Sequence, residues 1–399
     1  MSHLLYMQKL DAQLQWLAMQ PPLHSALGQL ADVGIVQDLS MEFLGHRQAP
    51  PATLLSVMLA LLGLVLFILL VIPKARLSLW SVWYFVASSD KKPRKPDDLK
   101  LEKHSASTRR MKIVFIRHGE SEWNAVFNNG WKIFLPFRLV RALINEGLML
   151  FRRDSLFFDS PLNDVGLKQG WELLTFLASQ PTGCRQPGTS QRPVEELEPE
   201  DVVSIIRGDA GESVIVSSIL RRAISTGLIS LSPRLLKSSV SDRVMLMTSL
   251  QEISRNVDTL ALTPAKALPI CPQNEAAMKG MGDLMTHFYG TRLDKKYNAG
   301  NKTISMRANK RQEQFVKWVF EQKEVDCIIV CGHSLWFREF FKSYMPKASS
   351  HVAGTAKVVN CGVIAFDLYQ NGKVTRIPPE SIKEIYGGFE VKGKKHKKA

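Results

Sequence analysis

Ile113-Val-Phe-Ile-Arg-His-Gly-Glu-Ser-Glu-Trp-Asn124 is the stretch that decides how this chain is read. Its first four residues, Ile113 to Ile116, form an apolar run with the length of a buried strand. The run ends in Arg117-His118-Gly119, a basic pair followed by a residue without Cβ. In open α/β sheets, ligands bind beyond the carboxyl ends of the strands. Arg117 and His118 are expected there, and Gly119 lets the backbone turn close to a ligand. A guanidinium offers a planar fork to phosphate oxygens, and a neutral imidazole is a competent nucleophile.

Further along, strand-like runs recur at 214–216, 244–247, 327–331 and 363–366. The first leads into Ser217-Ser-Ile-Leu-Arg-Arg-Ala-Ile-Ser-Thr226, the second towards Glu252, and the third into Gly332-His333-Ser334. Helices are predicted after Thr226's segment begins, over 335–344, and from Asn163 or Asp164, where Leu167, Trp171, Leu174 and Leu177 share one face. Residues 125–160 carry Arg138, Arg141, Arg152 and Arg153 among bulky apolar residues, with a helix predicted over 136–150. That stretch reads as a basic lid, as a face lying on lipid headgroups, or as a peripheral helix covering the sheet. Residues 181–213 read as a surface insertion. Strands alternating with helices indicate an α/β fold, a three-layer, mostly parallel sheet with helices on both faces.

Three strand ends thus carry basic groups, Arg117/His118, Arg221/Arg222 and His333, and a fourth carries Glu252. Packing does not account for this, because buried charge needs a partner. An anionic ligand, a phosphoryl group above all, supplies one. Arg221 and Arg222 stand side by side, and Arg221 is expected in solvent.

Arg117-His118-Gly119-Glu120, Ser217-x-x-Leu220-x-Arg222-Ala223-x-x-Thr226, Glu252 and Gly332-His333-Ser334 occur in the order of the histidine phosphatase superfamily, the phosphoglycerate-mutase-like clan. Pro161-Leu-Asn-x-x-Gly166-x-x-Gln169 resembles that family's Leu-Thr-x-x-Gly-x-x-Gln helix start. The resemblance covers roughly 111–368. It implies a phosphoglycerate-mutase-like fold, with His118 as nucleophile and Arg117, Arg222 and His333 holding the phosphoryl oxygens. Asn124 matches an Asn that contacts phosphate in relatives with the RHGESxWN form. Glu252 would be the general acid and then the base for water, with partial burial raising its pKa; Glu212, Asp209 or Asp258 could take that role instead. Ile253-Ser-Arg-Asn-Val-Asp258 replaces the mutase Arg-x-Tyr-Gly pattern, which favours hydrolysis of a phosphomonoester over mutation. A non-catalytic scaffold that binds phospho-ligands is the rival from another class. No metal or other cofactor is expected, and no P-loop accompanies the domain.

Hydrophobic residues make up 45% of the 399, a globular proportion unevenly spread. Residues 52–73 carry no charge and have about the length of a membrane-crossing helix, since ~20 apolar residues span ~30 Å. Lys74, Arg76, Lys91, Lys92, Arg94 and Lys95 follow it, which places the bulk of the chain on the cytosolic side. The expected plan is a tail over 1–51, a transmembrane helix over 52–73 and a basic, aromatic juxtamembrane linker over 74–110. The phosphatase domain takes 111–370, and a basic tail follows over 371–399. The net charge of +15 is concentrated beside the span and at the end of the chain, favouring an anionic lipid surface over nucleic acid. Lys395 and Lys397 resemble a dilysine retrieval signal, so the endoplasmic reticulum is the expected membrane and the mitochondrial outer membrane the second choice. Five cysteines without a pairing framework suit a reducing compartment. The sequon Asn301-Lys-Thr303 offers a topology test.

Overall fold

The computed structural model describes residues 51–88, 90, 108–127, 132–181, 199–237, 242–372 and 374–390. The N-terminal tail to residue 50, residues 89 and 91–107 of the expected linker, Cys184 and the lysine-rich terminus lie outside them. The chain divides into two units, Met1–Val71 and Ile72–Ala399.

Of the first unit, helix α1 (Pro51–Val71) is described, and its side chains from 54 to 68 are exposed. It stops short of the expected 52–73 span. Ile72 is extended (φ −106°, ψ 97°) and Pro73 opens helix α2 (Pro73–Ala87), because proline suits the first turn of a helix and disfavours helical geometry in the residue before it. Among the described residues no helix is long and apolar enough to cross a membrane.

The second unit is built on an eight-stranded sheet. Its order is β4-β3-β2-β5-β1-β6-β7, with β8 also paired to β6. The strands are β1 (Arg109–Arg117), β2 (Ser213–Ser218), β3 (Val244–Met247), β4 (Leu293–Tyr297), β5 (Cys327–Gly332), β6 (Val363–Asn371), β7 (Val374–Arg376) and β8 (Lys383–Tyr386). The first five run parallel, and β6 to β8 add an antiparallel side. The helices after α2 are α3 (Glu122–Phe127), α4 (Leu135–Leu148), α5 (Asp164–Ser179), α6 (Pro199–Ile206), α7 (Arg221–Ser230), α8 (Ser232–Lys237), α9 (Gln273–Ala276), α10 (Gly282–Thr291), α11 (Ala308–Glu321) and α12 (Ser334–Tyr344).

Strand β1 shows why its apolar run is continuous. Val114 and Ile116 enter the core on one face of the sheet, and Ile113 and Phe115 enter the core on the other. Both faces are covered, as parallel sheets require. Phe115 is fully buried, and its ring stacks on Phe337 of α12 at 4.0 Å; burying such a side chain stabilises by roughly 2–3 kcal/mol. The described cysteines, Cys271, Cys327, Cys331 and Cys361, are buried and unbridged.

Two parts of the expected plan change. The sheet continues past residue 370 through β7 and β8. Residues 74–87 and Asp90, assigned to a linker, belong to the folded unit: Tyr84 is fully buried, and Asp90 pairs with Lys302 (2.8 Å) and Arg311 (2.7 Å). Those partners are more than two hundred residues away, beyond the reach of local composition.

Candidate active site

Register brings the first two groups together. Arg117 at the end of β1 pairs with Gly332 at the end of β5, so the residues that follow, His118 and His333, are neighbours. Their ring centroids lie 5.1 Å apart. The backbone N–H of His118 donates to the Gly332 carbonyl at 3.0 Å, and that of Arg117 to Gly362 at 3.1 Å.

The turn after His118 is held from behind. The N–H of Gly119 donates to Thr226 Oγ1 (3.0 Å), and that hydroxyl donates to the Arg222 carbonyl (2.8 Å). Asn163 caps α5 by accepting from the Gly166 N–H (2.8 Å), and its amide donates to Glu120 Oε1 (2.9 Å). Gln169 accepts from the Glu120 N–H at 2.9 Å. A Cβ on Gly166 would lie 2.0 Å from the Glu120 carbonyl oxygen, and one on Gly119 2.6 Å from that of Gly166. The Asn163-x-x-Gly166-x-x-Gln169 spacing is therefore a clamp on the Arg-His-Gly-Glu turn, and neither glycine has room for a side chain.

A cavity of about 400 Å³ opens in front of this turn. Arg117, His118, Asn124, Arg222 and Glu252 line it, with Asp258 and Lys357. His333 stands beside His118, fully buried. Six residues legible in the sequence, separated by up to 216 positions, thus converge.

His118 Nδ1 lies 2.6 Å from the Gly119 carbonyl. A carbonyl only accepts, so Nδ1 carries the hydrogen and Nε2 keeps its lone pair. Burial, then Arg222 and Arg117, hold the imidazole's pKa well below its ordinary value, so the ring is neutral at physiological pH. His333 is likewise held well below the usual range by burial first, then by Arg222 and His118. Its Nε2 meets Ser218 Oγ at 2.8 Å, while its buried Nδ1 has no partner.

The arginines differ. Arg222 Nη1 donates to the Asp258 carbonyl (2.8 Å), and Nη2 lies 3.3 Å from Asp258 Oδ2. Arg117 Nη1 donates to the Val358 carbonyl and pairs with Glu390 at 2.8 Å. Arg221 is not solvated: it is 2% exposed, 2.5 Å from Asp154 and 3.6 Å from Asp159. It is structural, tying α7 to the loop before α5. A run of two arginines at a helix start cannot say which one points into the core.

The carboxylates divide unexpectedly. Glu252 is buried and lines the cavity, but its Oε1 accepts from the N–H groups of Ile253 (2.8 Å) and Trp336 (3.0 Å). Asp258 is 7% exposed, and its Oδ1 is buried with no partner. Burial raises Asp258 to about 6, assisted by Glu252 and opposed by Arg222 and Lys302. Asp209 pairs with Arg207 (2.8 Å) and Lys237 (3.2 Å), and neither it nor Glu212 lines the cavity. Sequence reasoning missed Glu390, Asp154 and Asp159, which lie in segments with no recognisable signal. Among the described residues no group of three His, Cys, Asp or Glu is placed to hold a metal ion.

The chain matches no protein-family model and no curated protein. Solved structures similar to it include a putative alpha-ribazole-5'-P phosphatase from Escherichia coli (15% identity, 67% of this chain and 94% of that one, TM-score 0.32). Two others are a mycobacterial glucosyl-3-phosphoglycerate phosphatase bound to VO3 (16%, 67% and 97%, 0.32) and the ecdysone phosphate phosphatase of Bombix mori with tungstate (13%, 67% and 93%, 0.32). Identities and scores this low assign no reaction to this chain.

Proposed function

We propose that this chain is a phosphatase that hydrolyses a phosphomonoester through a phosphohistidine on His118. The observation that carries the proposal is the imidazole itself: Nδ1 is committed to the Gly119 carbonyl, and burial together with two guanidinium groups keeps Nε2 unprotonated. The Nε2 lone pair attacks phosphorus and the bond to the leaving oxygen breaks. Arg222, Arg117 and the unpartnered Nδ1 of His333 take up the charge on the phosphoryl oxygens. Asn124 adds a further polar contact from α3.

The leaving oxygen needs a proton, and Asp258 is better equipped to give it than Glu252. Its Oδ1 is uncommitted, and a carboxyl that titrates at about 6 holds a useful share of its proton near neutrality. Glu252 instead receives two backbone N–H groups and fixes the loop to α12. In the second half-reaction the Asp258 carboxylate takes a proton from water, the oxygen attacks phosphorus, and phosphate leaves His118 restored.

The charge-free stretch 52–73 and its basic flank support a further part of the reading, attachment to a membrane with the folded unit cytosolic, at the endoplasmic reticulum or the mitochondrial outer membrane. A glycan on Asn301 would overturn this orientation, but its absence would not support it. Asn301 Nδ2 donates to the Ala261 carbonyl (2.9 Å), and its Oδ1 accepts from Ala261 and Gln251, so the acceptor nitrogen faces inward. Protease protection of the folded unit in sealed microsomes tests it instead.

The decisive experiment is rapid trapping in alkaline detergent with a ³²P-labelled aryl phosphate. Label bound through an acid-labile, alkali-stable bond, and lost in His118→Ala, is expected. A wild-type chain that turns over substrate without that label refutes the mechanism.

A further inference from the structure

Helices α2 and α4 are amphipathic the wrong way round for a water-exposed surface. On α2 the buried positions are Lys74, Ser81 and Tyr84, while Leu79, Val82, Trp83 and Val86 form an exposed stripe at helical spacing. On α4 Ala142 is buried, and Phe137, Val140, Ile144 and Leu148 face outward, continued by Ile133, Phe134 and Phe151. Phe137 is 75% exposed and Phe151 80%. Soluble helices turn such stripes to the core, and contiguous apolar patches of this kind mark interaction surfaces.

The two helices are joined by Lys74, whose Nζ donates to Glu146 Oε1 (2.9 Å) and to the Met149 carbonyl (2.6 Å). Both also abut the cavity walls. Arg138 of α4 donates to the Ala125 carbonyl of α3 (3.0 Å), the helix that carries Trp123 and Asn124. Arg255, in the loop between Glu252 and Asp258, donates to the Phe85 carbonyl of α2 (3.1 Å).

We propose that the outward faces of α2 and α4 lie on the headgroup region of an anionic lipid bilayer. Two observations choose this occupant. Arg76, Arg141, Arg152 and Arg153 are exposed along or beside the apolar stripes, the combination of aromatic and aliphatic residues with arginine that binds anionic interfaces. A second copy seated symmetrically on the same faces would set these arginines against their own equivalents. Second, α2 follows in sequence directly on the charge-free residues of α1. The surface does not depend on the reaction proposed at His118.

The test uses the full chain with Cys184→Ser and single cysteines at Phe137 or Ile144 carrying a bimane label. It is mixed with vesicles of phosphatidylcholine, with or without about one third phosphatidylserine. With phosphatidylserine, brominated lipid should quench both labels, and quenching by aqueous acrylamide should fall about threefold or more. Arg141→Glu with Arg153→Glu should abolish both effects. Labels that stay open to acrylamide in both vesicle types overturn the proposal, even if the chain is tethered. Equal lipid quenching in pure phosphatidylcholine overturns the role of the arginines. Shielding that grows with protein concentration without lipid assigns the face to a second copy and overturns it too. None of these readouts requires catalysis, so failure here leaves the proposed phosphatase reaction untouched.

Discussion

Asp258→Asn separates chemistry from folding more sharply than any other single change. The amide keeps the shape of the side chain and its approach to Arg222, but it has no proton to lend. General acid–base catalysis contributes about 10²–10⁴ in rate. That factor should be lost from kcat/KM with an alkyl phosphate, whose leaving oxygen needs the proton. With 2,4-dinitrophenyl phosphate the leaving group departs as an anion, so kcat/KM should fall less than about tenfold, while phosphohistidine accumulates for want of a base. The wild-type kcat/KM for the alkyl substrate should decline about tenfold per pH unit above the Asp258 value of about 6, and in the variant that limb should vanish.

The same substitution should stabilise the protein. Native Asp258 holds its proton up to about 6, against an ordinary value of 3.8. Between those values the native state binds more protons than the unfolded chain, so stability falls as pH rises through the window. Above it the whole cost of the buried charge is present, roughly 3 kcal/mol at 1.36 kcal/mol per pH unit. Asp258→Asn should therefore unfold at higher denaturant than wild type at pH 7.5, with the advantage shrinking towards pH 4. Stopped-flow kinetics with the two substrates, beside urea titrations at both pH values, reads all of this. If Glu252→Gln shows the leaving-group-dependent loss and Asp258→Asn does not, the assignment of the acid is wrong.

Other expectations follow from single contacts. Asp90→Asn strands Lys302 and Arg311 in the interior and should cost about 3–5 kcal/mol in urea unfolding; a loss under 1 kcal/mol would show that the segment before β1 is not bound as described. Arg221→Met leaves Asp154 and Asp159 without their cation, and should lower stability by a similar 3–5 kcal/mol, read by urea unfolding. Gly166→Ala drives a methyl into the Glu120 carbonyl; it should cost about 1–3 kcal/mol and lower kcat more than it raises KM, because the displaced turn carries His118, the proposed nucleophile. Glu390→Gln removes the anion that pairs with Arg117 at the cavity. KM for a phosphomonoester should then fall a few-fold, about the worth of one partly exposed ion pair, and an unchanged KM would remove Arg117 from substrate binding.

The parts of this protein legible in the sequence are those encoded locally. A continuous apolar run means a strand covered on both faces, and β1, β2, β3, β5 and the first half of β6 all announce themselves so. β4, Leu293–Tyr297, escapes because an edge strand buries little: its central residues are an aspartate and two lysines. Asn163 reads as a cap because capping is a contact over three residues. The position of His118 is legible too, since Arg-His-Gly follows directly on the apolar run of β1.

What the tertiary structure decides is the fate of charge. Neighbours in sequence do not tell Arg221 from Arg222; one finds Asp154 and Asp159 in the core, the other faces a cavity with Asp258. Likewise two N–H groups fix the Glu252 side chain, while burial raises the pKa of Asp258. A side chain's ionisation depends on the water it has lost and on the dipoles within a few ångströms, and both are set by segments hundreds of residues away.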